Sequence, residues 1–234
     1  MKSIQLTILG LVLTLSGYTQ VEVLKAIDQK YALLKEVSIQ QTVLEYIDAS
    51  DKQPTRVNNA LINMRGEYLI SEGPSSLIMV SPDYFLKMDR GNHTVYLGRA
   101  DEGIKGNLLS PNLQKQLGAA DTFALESRED GMIVLKLLFV TDLRSIVEYL
   151  LDPEQLQILS MTEYSLLPRP YGDREKVYPK RVITATSFSP NTDLDISRFK
   201  LNEFFEYDAN GELVTTSKYD GYVIVNPQNV KPQI

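Results

Sequence analysis

The chain has 234 residues, of which 43% are hydrophobic and 23% charged, with a formal net charge of −6. That balance suits a globular protein, and an acidic sign with no basic stripe argues against nucleic acid or an anionic membrane surface as partner. The lack of cysteine excludes a disulfide scaffold, a thiol enzyme and a cysteine-ligated metal, while a single histidine, His93, leaves the usual zinc sets without ligands.

The first twenty residues have the three-part layout of a secretory signal. Met1-Lys2-Ser3 is a short basic start, Ile4 to Leu15 is apolar, and Ser16 to Gln20 supplies small and polar residues for cleavage. The apolar run is too short to span a bilayer. With no cysteine at the cut there is no lipid anchor, so the expected product is an exported, periplasmic, unanchored protein. The pattern then predicts one domain over residues 21–228 and a loose tail over 229–234.

Residues 21–34 read as an amphipathic helix, with Leu24, Ile27, Tyr31 and Leu34 at three- and four-residue spacing. From Glu36 the period changes to two, which predicts a long strand to Ile47 with semi-polar faces. Strand signals follow at Val57–Met64, Tyr68–Ser71, Ser76–Val80, Tyr84–Asp89 and Thr94–Arg99, separated by Gly- and Pro-containing turns. Ser110-Pro111 before Leu113, and Gly118 after Leu117, predict a brief helix with a serine N-cap and a glycine stop. Further strands are expected over 132–140, 145–151, 155–166, 180–187, 197–207 and 213–219. Asn210-Gly211 marks a hairpin between the last two, and a short strand is expected over 221–227. Leu167 to Pro179 reads as a loop or flap. Meandering strands with few helices predict a mainly β (α+β) fold: one strongly curved antiparallel sheet forming an open half-barrel, with the N-terminal and middle helices on its concave side.

No residue pattern supplies a nucleophile with an activating base, a phosphate loop or a calcium loop, so no catalytic residue, metal or cofactor is expected and the chain is not read as an enzyme. A hydrolase is the third-ranked function. His93 sits at a hairpin tip. Asn92-His93-Thr94 matches a glycosylation pattern that is frequent by chance. Asp48 to Asp51 and Asn191 to Asp195 read as surface turns.

Apolar alternation is the stronger signal. Ala60, Ile62, Met64, Tyr68 and Ile70 read as one face running through Gly66, continued by Leu77, Met79, Tyr84, Leu86, Met88, Val95 and Leu97; Leu135, Leu137 and Phe139 form another row. A curved sheet with this inner face must either fill its interior or hold something apolar there. The expected ligand-lining set is Ile62, Met64, Tyr68, Leu77, Met79, Leu86, Met88, Leu135 and Leu137; the same pattern also fits an ordinary core.

The order of elements, and the passages Tyr84–Asp89 with Val95–Leu97, Tyr149–Pro153 with Ile158–Leu159, and Pro179–Ile183, resemble the periplasmic lipoprotein carrier and receptor superfamily (LolA/LolB-like), in the divergent form found in Bacteroidota. The resemblance implies a half-barrel with helices across its mouth and an apolar cavity for a lipid or lipoprotein acyl chain. A second reading is a scaffold component of a cell-envelope complex with an envelope protein as partner.

Overall fold

A computed structural model describes residues 20–100, 112–140, 144–190, 192 and 194–231. The signal-peptide reading, apart from Gln20, lies outside the described residues, as do Ser110 and Pro111, two members of the 191–195 turn, and the last three residues of the tail. The described chain is mainly β. Twelve strands form one sheet, antiparallel at every described pairing but one, with helix α1 over 20–33 and a short helix α2, Leu113–Ala119.

The strands are β1 Glu36–Tyr46, β2 Arg56–Arg65, β3 Tyr68–Glu72, β4 Ser76–Val80, β5 Tyr84–Asp89, β6 Thr94–Arg99, β7 Thr122–Ser127, β8 Ile133–Phe139, β9 Ser145–Asp152, β10 Gln157–Ser165, β11 Arg169–Tyr171, β12 Arg174–Val177, β13 Lys180–Ser189, β14 Phe205–Tyr207, β15 Leu213–Thr215 and β16 Val223–Val225. The order in the large sheet is β16-β6-β5-β4-β3-β2-β1-β13-β10-β9-β8-β7, and β11-β12 and β14-β15 are separate hairpins. The chain gathers into two compact units. Among the described residues, the first comprises those within 20–33, 43–57 and 112–185; the second comprises those within 34–42, 58–100 and 186–231.

The first unit has its core where α1 meets the sheet. Leu24 and Ile27 are fully buried, together with Leu113 of α2, Leu135 and Leu137 of β8, and Leu151 of β9. The three-residue step that predicted the helix therefore selects its buried stripe, and each such side chain contributes roughly 1.5–3 kcal/mol on leaving water. The start of α1 is tied down where Gln20 Nε2 donates to Ser127 Oγ at 2.7 Å.

Helix α2 is held by a residue that the linear pattern does not reveal. Its N-cap position, Asn112, has φ 45° and makes no side-chain cap. The first helical amides, Leu113 N and Gln114 N, donate instead to the two carboxylate oxygens of Asp28 on α1, at 2.8 and 2.9 Å. A carboxylate there satisfies two otherwise unpaired donors and complements the positive end of the helix. Gly118, read as the stop, lies within the helix, which ends at Ala120 in extended backbone. Asp28→Ala should cost about 1 kcal/mol, with faster amide exchange at Leu113 and Gln114; a urea melt with residue-resolved exchange checks both.

Several expectations change, among them the 213–219 strand, which stops at Thr215 and passes into a 3-10 turn at Ser217–Tyr219. The 197–207 stretch is mostly not a strand: it forms 3-10 turns at Ile196–Phe199 and Leu201–Glu203 before β14. Asp195 accepts from Ser197 N and Ser197 Oγ and so bends the chain at its entry. The loop expected over 167–179 contains the hairpin β11-β12. Strand β7, which the sequence pattern does not mark, joins the outer side of β8.

Candidate binding site

The second unit carries an apolar face built across β3 to β6. Register partners in an antiparallel pair project side chains to the same face, and the pairings Ile70↔Met79, Leu77↔Met88, Met79↔Leu86, Leu86↔Leu97 and Met88↔Val95 set these residues side by side. All are buried, with Leu86 and Val95 at 0% exposure and Met79 and Met88 at 1%. What buries them is the segment from Leu194 to Phe205: Leu194, Phe199, Leu201, Phe204 and Phe205 complete the same cluster. Tyr68 meets Phe199 edge to face at 4.9 Å between ring centroids, and Phe204 stacks on Tyr219 at 5.2 Å. The face is therefore covered by a segment whose regular structure is two short 3-10 turns and a three-residue strand.

Polar contacts fasten the beginning of this cover. Glu72 at the end of β3 takes Arg90 at 3.2 Å on one carboxylate oxygen and Arg198, from the cover, at 3.3 Å on the other. Arg90 Nη1 also donates to the Gly73 carbonyl at 2.5 Å. Arg65 pairs with Glu36 at 3.2 Å and donates to the Leu194 carbonyl at 3.4 Å. Thr192 Oγ1 donates to Asn63 Oδ1 at 3.3 Å, and the Tyr84 hydroxyl donates to the Phe199 carbonyl. Burial pushes the Tyr84 hydroxyl well above its ordinary pKa, so it stays a donor. The ion pairs are about half exposed, and water screens them; each contributes little to stability and serves mainly to place the cover.

Two open clefts lie in this unit. One, of about 600 Å³, is lined by Gln40, Asn59, Leu61, Glu72, Arg90 and Thr186, among others. The other, of about 400 Å³, is lined by Ser38, Asn63, Ser189, Thr192, Leu194, Asp195 and Arg198. Gly73 lies at the edge of the first, where a Cβ would make a tight contact, 3.3 Å from the Asn59 carbonyl oxygen.

The residues expected to line a ligand fall in three places. Tyr68, Leu77, Met79, Leu86 and Met88 come together on the covered face. Ile62 and Met64 do not join them. The two-residue turn Gly66-Glu67 pairs Arg65 with Tyr68 and Met64 with Leu69, an odd step that exchanges the parity of the two strands. Ile62 and Met64 thus share a face with Ser71 and Leu69, and the row read straight through Gly66 is broken at that turn. Leu135 and Leu137 are fully buried in the core of the first unit. The sequence reading did not single out Glu72, Arg90 and Arg198, nor the apolar residues of the cover; the spacing of Phe199, Leu201, Phe204 and Phe205, which breaks a period of two, is the signal that was available.

The remaining candidates are in structural use. His93, at φ 47°, sits at the β5-β6 turn and meets Tyr222 edge to face at 5.0 Å. Asp48 accepts from Ser50 N, Ser50 Oγ and Tyr178 N, and the Ser50 hydroxyl above all draws its pKa down to about 2. Among the described residues no group of three His, Asp or Glu side chains is placed to hold a metal, and no helix is long and apolar enough to cross a membrane.

A mainly β chain with a large sheet, an N-terminal helix and a short middle helix is the class these observations define. No protein-family model matches the chain, and no curated protein matches its sequence. Its structural neighbours include LolA superfamily and lipoprotein-sorting domains at low identity. An uncharacterized conserved protein from Thermus thermophilus is similar over 89% of this chain and 99% of its own, at 10% identity and a TM-score of 0.44. A putative outer membrane lipoprotein-sorting protein domain from Vibrio parahaemolyticus is similar over 77% and 96%, at 10% identity and 0.40. A LolA superfamily protein from Nitrosomonas europaea is similar over 76% and 96%, at 8% identity and 0.36.

Proposed function

We propose that this protein is an exported, non-enzymatic binding module of the periplasm, which holds a lipid, a lipoprotein acyl chain or a comparable apolar ligand on the β3–β6 face of its second unit. The observation that carries this reading is the way that face is covered. Its apolar residues are sealed by a segment of short turns fastened through side chains, rather than by another sheet or a long helix. Apolar burial has no direction. An acyl chain can therefore replace the side chains of Leu194, Phe199 and Leu201 on the same surface, and the ties that hold the cover add a small increment to the cost of entry.

The test is a titration of delipidated protein with a fluorescent fatty acid, in wild type and in Arg198→Ala. Loss of the Arg198–Glu72 tie should loosen the cover and raise affinity several-fold, with an unchanged circular dichroism spectrum. Absence of binding in both proteins would refute the reading.

A second reading, an interaction component of an envelope complex with a filled interior, is favoured by one specific observation: Met79, Leu86 and Met88 are sealed from water. On that reading the fatty acid stays free in both titrations, and the protein recovers an envelope protein without lipid from a periplasmic extract.

A further inference from the structure

A third cleft, of about 430 Å³, lies within the first unit, at the end of β9 and β10. We propose that it is a binding site for a small zwitterion, a molecule bearing one anionic and one ammonium group.

The first observation is a hydroxyl left without a partner. Ser145, the first residue of β9, is 2% exposed, lines the cleft, and its Oγ is the one buried side-chain polar atom among the described residues that makes no hydrogen bond. Its register partner Ser165 does not help. The Ser165 hydroxyl is occupied with Leu167, donating to the carbonyl at 3.1 Å and accepting from the amide at 3.2 Å. Unpartnered buried polar groups are few in folded proteins and each one calls for a reason. Alanine would fill this position without the penalty.

The second observation is the charge around it. Glu45, Glu163, Arg169, Lys180 and Arg181 line the same cleft. Lys180 is already engaged, 4.0 Å from the centre of the Tyr46 ring and donating to the Ala49 carbonyl at 3.3 Å. The other four make no ion pair among the described residues, although Glu163 and Arg181 are register partners on adjacent strands. Two guanidiniums and two carboxylates at one opening suit neither a plain anion nor a plain cation, since each would face two like charges. A zwitterion satisfies both signs, with a bidentate anion on arginine, and it leaves Ser145 to donate to, or accept from, its polar middle. The volume is at the small end of ligand sites and gives ample room for a dipeptide or a phosphoethanolamine group.

The experiment is a two-dimensional amide NMR titration of the full chain with glycylglycine and with phosphoethanolamine, each against acetate and ethylammonium as single-charge controls. At least one zwitterion should give saturable shifts at Ser145, Glu163 and Arg181 at concentrations where the controls do not. Saturation by only one of the two identifies the source as peptide-like or lipid-headgroup-like. Ser145→Ala should weaken that probe about five- to tenfold, while its Tm stays level or rises by a few degrees because an unsatisfied hydroxyl has gone. Arg181→Gln should also weaken it without loss of fold. The proposal fails if neither probe saturates in the tens of millimolar, if acetate or ethylammonium binds as well, or if Ser145→Ala lowers Tm, which would mean the hydroxyl already had a partner.

Discussion

Met79→Glu should unfold the second unit. Met79 is 1% exposed, lies between Ile70 and Leu86 in register, and is sealed by the residues of the cover. A carboxylate placed there has no cation on its own face within the cluster, and burying it unpaired costs several kcal/mol, on the order of the ~5–15 kcal/mol that hold a domain together. The same change at Ile62, half-buried and on the opposite face, should cost far less. Circular dichroism melts of the two variants beside wild type measure the difference. A folded Met79→Glu protein melting like wild type would show that this face admits water, and that the cover is open far more of the time than its packing implies.

Leu135→Ala should destabilise the first unit by roughly 2–5 kcal/mol, the range for removing a fully buried leucine from a core that cannot close around the gap. Leu135 is 0% exposed and shares its cluster with Leu24 and Ile27 of α1, Leu113 of α2 and Tyr149 of β9. A shift of the urea midpoint with unchanged slope is the measure. Fatty-acid binding by the folded protein should stay at the wild-type level, because Leu135 belongs to a different core from the proposed ligand face. A binding loss matching that of a change on β4 or β5 would contradict the division of the two cores.

The strands around the proposed ligand face were the most legible part of the fold. Ser76–Val80, Tyr84–Asp89 and Thr94–Arg99 coincide with β4, β5 and β6, because Pro74, Pro82 and Gly91 interrupt an otherwise clean period of two. Register was not legible. Whether Met64 or Arg65 shares a face with Tyr68 depends on how many residues the turn at Gly66 contains, and one residue of difference inverts the strand. The partners of the helices and the cover were hidden for another reason. Asp28 meets Leu113, and Glu72 meets Arg198, across stretches of chain that no local pattern spans. The apolar residues that fill the inner face were visible as hydrophobic, but not as lying over β3 to β6. The Ser145 cleft was likewise illegible, since an unpartnered hydroxyl is a property of surroundings and not of spacing.

The strand at the end of the chain has a consequence for how the protein is made. β16 lies parallel to β6, with Val223, Ile224 and Val225 opposite Thr94, Val95 and Tyr96, and Gln228 Oε1 accepts from Arg99 N at 2.6 Å just beyond. Those partners are about 130 residues apart in sequence, a separation that makes closure slow. Until the last segment arrives, β6 presents a row of unpaired amides and carbonyls, the kind of margin onto which a second chain can add. A chain made from its N-terminus exposes that margin until residues 223–225 follow. The interval between the emergence of β6 and the arrival of β16 is when the chain most needs a chaperone.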